Sequence, residues 1–274
     1  MHQQLSADVN NLVFRGTNRQ AGRHLIITPA NSAMQQLRYG RIILNAETPD
    51  STFATEQCEV ALICLSGAAR VTAGGSTHEM GRYDAIYIPR DSEVAVATDS
   101  AADLVECAAP VTGQYPLQVV RYDEVAQDPA LKFQTGGENN KRTINILIGK
   151  NVEAGRLLAG VTQSQPGNWT SWPPHEHSAM LEELYVYYDM PPPSFGVQFV
   201  YTDTEQPELA VMVRDGDAVL MPQGFHPNVA IPGYPINFVW LMAAHRETVD
   251  RQFGVVNVQP GLDGAGSGLE ASRN

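Results

Sequence analysis

The feature that most limits the fold of this chain is a succession of short apolar runs, rich in β-branched and aromatic residues and closed by Gly, Pro, Asp or Asn. EVALICLSG (59–67), ARVTAGG (69–75), DAIYIP (84–89), TINILIG (143–149), ELYVYY (183–188), FGVQFVYT (195–202), DAVLMP (217–222) and INFVWLM (236–242) all have strand length. Only YDEVAQDPALK (122–132) reads as a helical link. With 23 Gly and 18 Pro to serve the turns, the pattern points to an all-β chain. Its 274 residues suffice for one large domain or two of ordinary size.

A faint internal likeness favours two. Glu59 precedes an apolar strand that ends in Ser66–Gly67, and Gly81 then leads through RYDAIYI to Pro89. Glu183 also precedes an apolar strand, and Gly216 leads through DAVLM to Pro222. One module used twice implies a unit over 1–120, a second over 121–258, and a small, polar, flexible tail over 259–274.

Charge and cysteine usage narrow the partners. The formal net charge is −12, from 18 Lys and Arg against 30 Asp and Glu. Such a surface repels phosphate backbones and anionic lipid heads, which argues against nucleic acid and membrane. A small anionic substrate stays possible, because a cation and one or two arginines reverse the sign locally. Cys58, Cys64 and Cys107 have no CxxC spacing, and Cys64 sits inside ALICL as a buried thiol would. Reduced thiols, an N-terminus without a basic-then-apolar leader and the lack of a bilayer-length apolar stretch suit a soluble, cytoplasmic protein.

The segment GNWTSWPPHEHSAMLEELYVYY (167–188) carries the chemistry. His175 and His177 stand two apart, so in an extended chain they share a face, and Pro173 and Pro174 favour that extension. An HxH pair alone is commonly ordinary surface or core histidine. Here a carboxylate follows within eight residues, and His226 lies farther on in MPQGFHP. Three His and one Glu suit one divalent transition metal (Zn, Mn, Fe, Ni or Co) better than Ca or Mg. Strand parity leaves two carboxylates in question. An inward Glu183 brings Tyr185 and Tyr187 into the cavity, whereas an inward Glu182 brings Leu184 and Val186. A polar substrate favours phenols over aliphatics, and therefore Glu183, with Glu182 the alternative.

HxH, a following Glu and Gly-x5-Pro-x-Gly-x-His (216–226) resemble the two cupin motifs, the second shortened by one residue. The first half keeps Glu59, Gly67, Gly81 and Pro89 without the histidines, and so resembles the metal-free half of a bicupin. The resemblance implies two jelly-roll-like β-barrels in one chain. More narrowly, GNWTSWPPHEH (167–177), LEELYVYY (181–188), PPPSFGVQFVYT (191–202) and VRDGDAVLMPQGFHPNVAIPGY (213–234), with the weaker YDAIYIPR (83–90), resemble the 5-deoxy-glucuronate isomerase family of myo-inositol catabolism. HEH followed by EELYVYY also resembles the related 4-deoxy-5-hexosulose-uronate ketol-isomerases, whose ligand Glu matches Glu183. The loop from HEH to EEL is short for the family, and QFVYT stands where QRVYT is usual.

The resemblance implies an aldose–ketose isomerase that interconverts 5-deoxy-D-glucuronate and 5-dehydro-2-deoxy-D-gluconate, with His175, His177, Glu183 and His226 as metal ligands. Tyr185 and Tyr187 are candidate proton carriers, although buried tyrosines more often only pack and hydrogen-bond. Arg142 is a candidate for the substrate carboxylate, with a structural ion pair as its alternative. Tyr201 and Gln198 are further substrate-binding candidates. His24 and His78 read as ordinary polar positions and Lys141 as solvated. Another uronate ketol-isomerase, an iron dioxygenase and a non-catalytic sugar-binding module are the competing functions. A homo-oligomer is expected from the habit of bicupins.

Overall fold

The computed structural model describes residues 12–262. The tail expected over 259–274 therefore lies, beyond Leu262, outside the described residues. Strands dominate, and the segment anticipated as a helical link supplies the short helix Tyr122–Gln127. Among the described residues no helix is long and apolar enough to cross a membrane.

Two similar arrangements follow one another. In the first, a six-stranded sheet runs Gln118–Val120, Ala85–Ile88, Cys58–Gly67, Ala102–Pro110, Arg38–Leu44, Gly22–Ile27, and is accompanied by a four-stranded sheet built from residues 50–97. In the second, Ala218–Met221, Leu181–Tyr187, Asn237–Ala244, Leu157–Ser164, Arg142–Ile148 and Lys132–Thr135 neighbour one another in a seven-stranded sheet. Its partner is the four-stranded sheet Trp169–Thr170, Asn228–Ala230, Gly196–Val200, Leu209–Val213. The seventh strand is Val13–Phe14 from the start of the chain, which pairs with Val219 and Ala218 and so ties the N-terminal segment to the second arrangement. Paired larger and smaller antiparallel sheets of this kind make an all-β, jelly-roll-like bicupin.

Alternation along one strand explains the cores. Val60, Leu62 and Cys64 of Cys58–Gly67 point into an apolar cluster confined to the first arrangement. Ala61, Ile63 and Leu65 point the other way, into a cluster shared with Leu184, Val186, Val239 and Leu241 of the seven-stranded sheet. A strand buried on both faces reads as an unbroken apolar run, as EVALICL does. The interior of the first arrangement is filled with aliphatic side chains, and Cys58, Cys64 and Cys107 are free, buried thiols.

Register corrects the internal repeat. Val60 lies opposite Ile88, which precedes Pro89, and Glu183 lies opposite Met221, which precedes Pro222. The structural counterpart of Glu183 is therefore Val60, and the counterpart of Glu59 is Glu182. A one-residue offset is invisible in sequence when two glutamates are adjacent, yet in a strand it exchanges the faces.

Candidate metal centre

The strand Leu181–Tyr187 sends Leu181, Glu183 and Tyr185 into a cavity. Glu182 points the opposite way, where its carboxylate accepts the backbone N–H groups of Gln35 (2.7 Å), Gln36 (2.6 Å) and Leu37. Parity thus separates the two acids as the phenol argument suggested. Glu183 is the carboxylate that meets the histidines.

His175 sits on the short strand His175–Glu176, His177 just beyond it, and His226 in the turn ahead of Asn228–Ala230. Ligand atoms of His175, His177 and His226 all lie within 4.8 Å of one another. Glu183 Oε2 is 3.1 Å from His177 Nε2 and 3.0 Å from His226 Nε2. Each ring is fixed from behind: Nδ1 of His175 is 2.9 Å from the Pro173 carbonyl, that of His177 3.3 Å from Leu181, and that of His226 2.9 Å from Gly224. Donation from Nδ1 to a carbonyl places the lone pair on Nε2, the arrangement of a metal-bound imidazole. His226 Nε2 is buried without a hydrogen bond, although it lies 3.0 Å from Glu183 Oε2. A buried, unsatisfied nitrogen aimed at a carboxylate and two further imidazoles is what a cation between them would satisfy. The residues present fit a divalent transition metal.

Electrostatics favour an ionised Glu183. Burial, helped by neighbouring His226 and His177, pushes His175 down to about 3. Burial alone would raise Glu183, but His177 and His226, each within about 3 Å of its carboxylate, hold it at about 2. Burial would likewise lower His177, and the Glu183 carboxylate outweighs it and moves it upward.

The cavity is open at its mouth, and the empty space there, open solvent included, amounts to about 580 Å³. Arg142, projecting from Arg142–Ile148, lines it together with His175, His177, Glu183 and Tyr185. Arg142 donates to the carbonyls of Asn140 (2.8 Å) and Trp172 (2.7 Å), which anchors the guanidinium. Burial lowers its pKa to about 10, so it stays cationic at neutral pH. The Tyr185 hydroxyl pairs with Ser171 Oγ at 2.7 Å, and Ser171 holds a left-handed φ of 50° at the cavity wall. Strain of this kind persists where surrounding structure fixes it, commonly at functional sites.

Three of the other candidates lie elsewhere. Tyr187 shares the face of Glu183 but donates to Gln198 Oε1, and Gln198 in turn donates to the carbonyls of His226 and Pro227. These two buttress the His226 turn and do not line the cavity. Tyr201 borders a separate outer groove with Trp169, Trp172 and Phe199, and donates to Gln259. His24 binds its local Ala21 carbonyl, and His245 Nε2 lies 3.1 Å from the Ser178 carbonyl.

Several wall residues were not singled out from the sequence. Phe238, Trp240 and Met242 alternate along Asn237–Ala244 and form the cavity floor, a pattern that period-2 counting of INFVWLM could have found. Ser171 carried no such signal. Nor did the strap Phe253–Val256, which lines the cavity and leads into Asn257–Val258, paired with His175–Glu176.

A sequence profile of the KduI/IolB family matches residues 12–255. A 5-deoxy-glucuronate isomerase of Geobacillus thermodenitrificans is 33% identical over 165 residues, 58% of this chain and 58% of its own length. The chain therefore spans less than two thirds of that relative in the matched region. The 5-deoxy-glucuronate isomerase of Bacillus velezensis is 28% identical over 80% of this chain and 86% of its own. Among solved structures, an IolB-like protein from Salmonella typhimurium LT2 superposes with a TM-score of 0.81 at 24% identity, covering 92% of this chain and 98% of its own. An oxalate decarboxylase of Bacillus subtilis with Mn(II) centres gives 0.64 at 12% identity, over 92% and 80%. Both likenesses establish the fold.

Proposed function

The chain belongs to the KduI/IolB family, and from that premise we propose that it is a metal-dependent isomerase interconverting 5-deoxy-D-glucuronate and 5-dehydro-2-deoxy-D-gluconate. The observation that carries the reading is the convergence of three back-anchored imidazoles on Glu183 in a cavity that also holds Arg142.

The substrate is an open-chain sugar acid with an aldehyde at one end and a carboxylate at the other. Conversion to the ketose removes a proton from C2 and returns one to C1, with no net redox change. His175, His177, Glu183 and His226 would hold the metal, which when bound supplies a Lewis acid that polarises the carbonyl and acidifies the neighbouring C–H bond. Arg142 is cationic and anchored by two backbone carbonyls at the cavity wall, which makes it a suitable counter-charge for the far carboxylate. Tyr185 lines the cavity two residues from Glu183, on the same strand face. Its hydroxyl, braced by Ser171, can hold a proton at the sugar oxygens or pass one along. The strap Phe253–Val256 lines the same cavity. Buried free thiols suit the cytoplasm, where such a catabolic step belongs.

Chelation followed by add-back tests the reading. Ketose formation from 5-deoxy-glucuronate should vanish in chelated protein and return with one of Zn, Mn, Fe, Ni or Co. Full activity in metal-free protein would exclude it.

A further inference from the structure

The walls of the cavity divide by chemistry. Its ionic groups sit on strands at opposite sides: Glu183 on Leu181–Tyr187, and Arg142 on Arg142–Ile148. Between those strands lie Asn237–Ala244 and Leu157–Ser164. Glu183 is opposite Met242, Tyr185 opposite Trp240, and Trp240 opposite Gly160, whose missing side chain admits the indole. The surface crossed from the metal side to the arginine side is thus Met242, Trp240 and Phe238, with Thr162 opposite Phe238 and Ile144 opposite Thr162. Phe253 stacks on Trp240 at 5.0 Å, and the strap adds Val256 to the same cavity.

We propose that Ile144, Phe238, Trp240, Met242, Phe253 and Val256 are specificity-determining residues that select an open-chain acid bearing a methylene beside its carboxylate over the fully hydroxylated uronate. The inference rests on the function proposed above and deepens it. A sugar acid held by its aldehyde end at the histidines and by its carboxylate at Arg142 must lay its middle carbons along this wall. C5 adjoins the carboxyl carbon, so it falls toward the arginine side, where Ile144 shares the strand face of Arg142 two residues on. A hydroxyl there would leave water for a surface on which Thr162 offers the one nearby hydroxyl between apolar Phe238 and Ile144, whereas a methylene gains from burial. Apolar pockets reject an added hydroxyl by roughly ten- to a hundredfold, and that is the selectivity expected here.

The test separates binding from reaction. The C1-alcohols made by reducing glucuronate and 5-deoxy-glucuronate are open-chain, keep the carboxylate and cannot isomerise. Titrated calorimetrically into metal-loaded protein, the deoxy alcohol should bind at least about tenfold more tightly. Ile144→Thr and Val256→Thr, which place a hydroxyl on the wall, should each shrink that ratio severalfold while circular dichroism shows an unchanged fold. Equal binding of the two alcohols by the wild-type protein overturns the proposal. A ratio untouched by both variants overturns the assignment to this wall. If the preference holds while 5-deoxy-glucuronate is not turned over, the wall stands and the proposed reaction falls.

Discussion

Glu59 and Glu182 occupy equivalent places in the two halves, and each closes on three consecutive backbone amides of the other half. Glu182 accepts from Gln35, Gln36 and Leu37, while Glu59 accepts from Gly155 (2.7 Å), Arg156 (2.6 Å) and Leu157 (2.9 Å). The receiving segments also correspond: residues 35–37 lead into Arg38–Leu44, two strands from that of Glu59, and residues 155–157 into Leu157–Ser164, two strands from that of Glu182. Both carboxylates are buried, 0% and 1% exposed, so these N–H groups have no water to fall back on. The exchange locks the two large sheets together.

Glu59→Ala should therefore cost about 2–4 kcal/mol in urea unfolding, because it strands several buried donors. Glu182→Ala should cost a similar amount, about 2–4 kcal/mol on the same reasoning. Glu59 is the cleaner site, as Glu182 adjoins Glu183. A loss below about 1 kcal/mol for Glu59→Ala would mean the exchange is not a stabilising contact.

Replacing any of His175, His177, Glu183 or His226 with Ala should lower metal affinity by more than the roughly 10- to 100-fold typical of losing an outer-shell partner. Metal analysis of purified variants reads this directly. Tyr201→Phe, in the outer groove, should keep the wild-type metal content.

Acid stability should depend on Glu247. Its carboxylate accepts from the amides of Thr112 (2.8 Å) and Gly113 (2.7 Å) and from the Tyr115 hydroxyl (2.8 Å). Burial would raise it, but these hydrogen bonds hold it near 2, below the ordinary 4.5. A depressed folded-state pKa gives stability that is full above about 4.5 and disappears as pH falls toward 2. The gap in melting temperature between wild type and Glu247→Gln should accordingly be constant near neutrality and close between those pH values. A gap that widens on acidification would contradict this.

Gly160 is required by close approach, since a Cβ there would stand 2.2 Å from the Asn145 carbonyl oxygen and 2.3 Å from Trp240 Cζ2. Gly160→Ala should destabilise by about 1–3 kcal/mol through overpacking and displace Trp240 from the floor. Indole fluorescence and thermal melting would register both effects, and an unchanged spectrum would show that the floor yields freely.

Much of this was legible in sequence because it repeats at the period of a strand. EVALICL read as an apolar strand with a buried Cys64, and the two-residue spacing of His175 and His177 put them on one side of an extended chain. Glu183 followed from the phenols two and four residues on, although only Tyr185 reaches the cavity. What escaped sequence reading depends on backbone and distance. The partners of Glu59 lie some 96 to 98 residues away and are amides, which carry no residue signature. The strap at Phe253–Val256 reaches the site through its pairing with His175–Glu176, and no local pattern in the strap encodes that pairing. Tyr201 was a substrate-binding candidate, yet it bridges to Phe225 and borders the outer groove.

Proton bookkeeping during turnover tests the central claim most directly. Metal-loaded protein should convert 5-deoxy-glucuronate in deuterated water to 5-dehydro-2-deoxy-gluconate, and NMR should show solvent deuterium at the former C1 wherever the relaying group exchanges with solvent. Chelated protein and Glu183→Ala should give neither signal. Product formed at the wild-type rate by chelated protein, or no product from fully metallated protein, would contradict an isomerase built on His175, His177, Glu183 and His226.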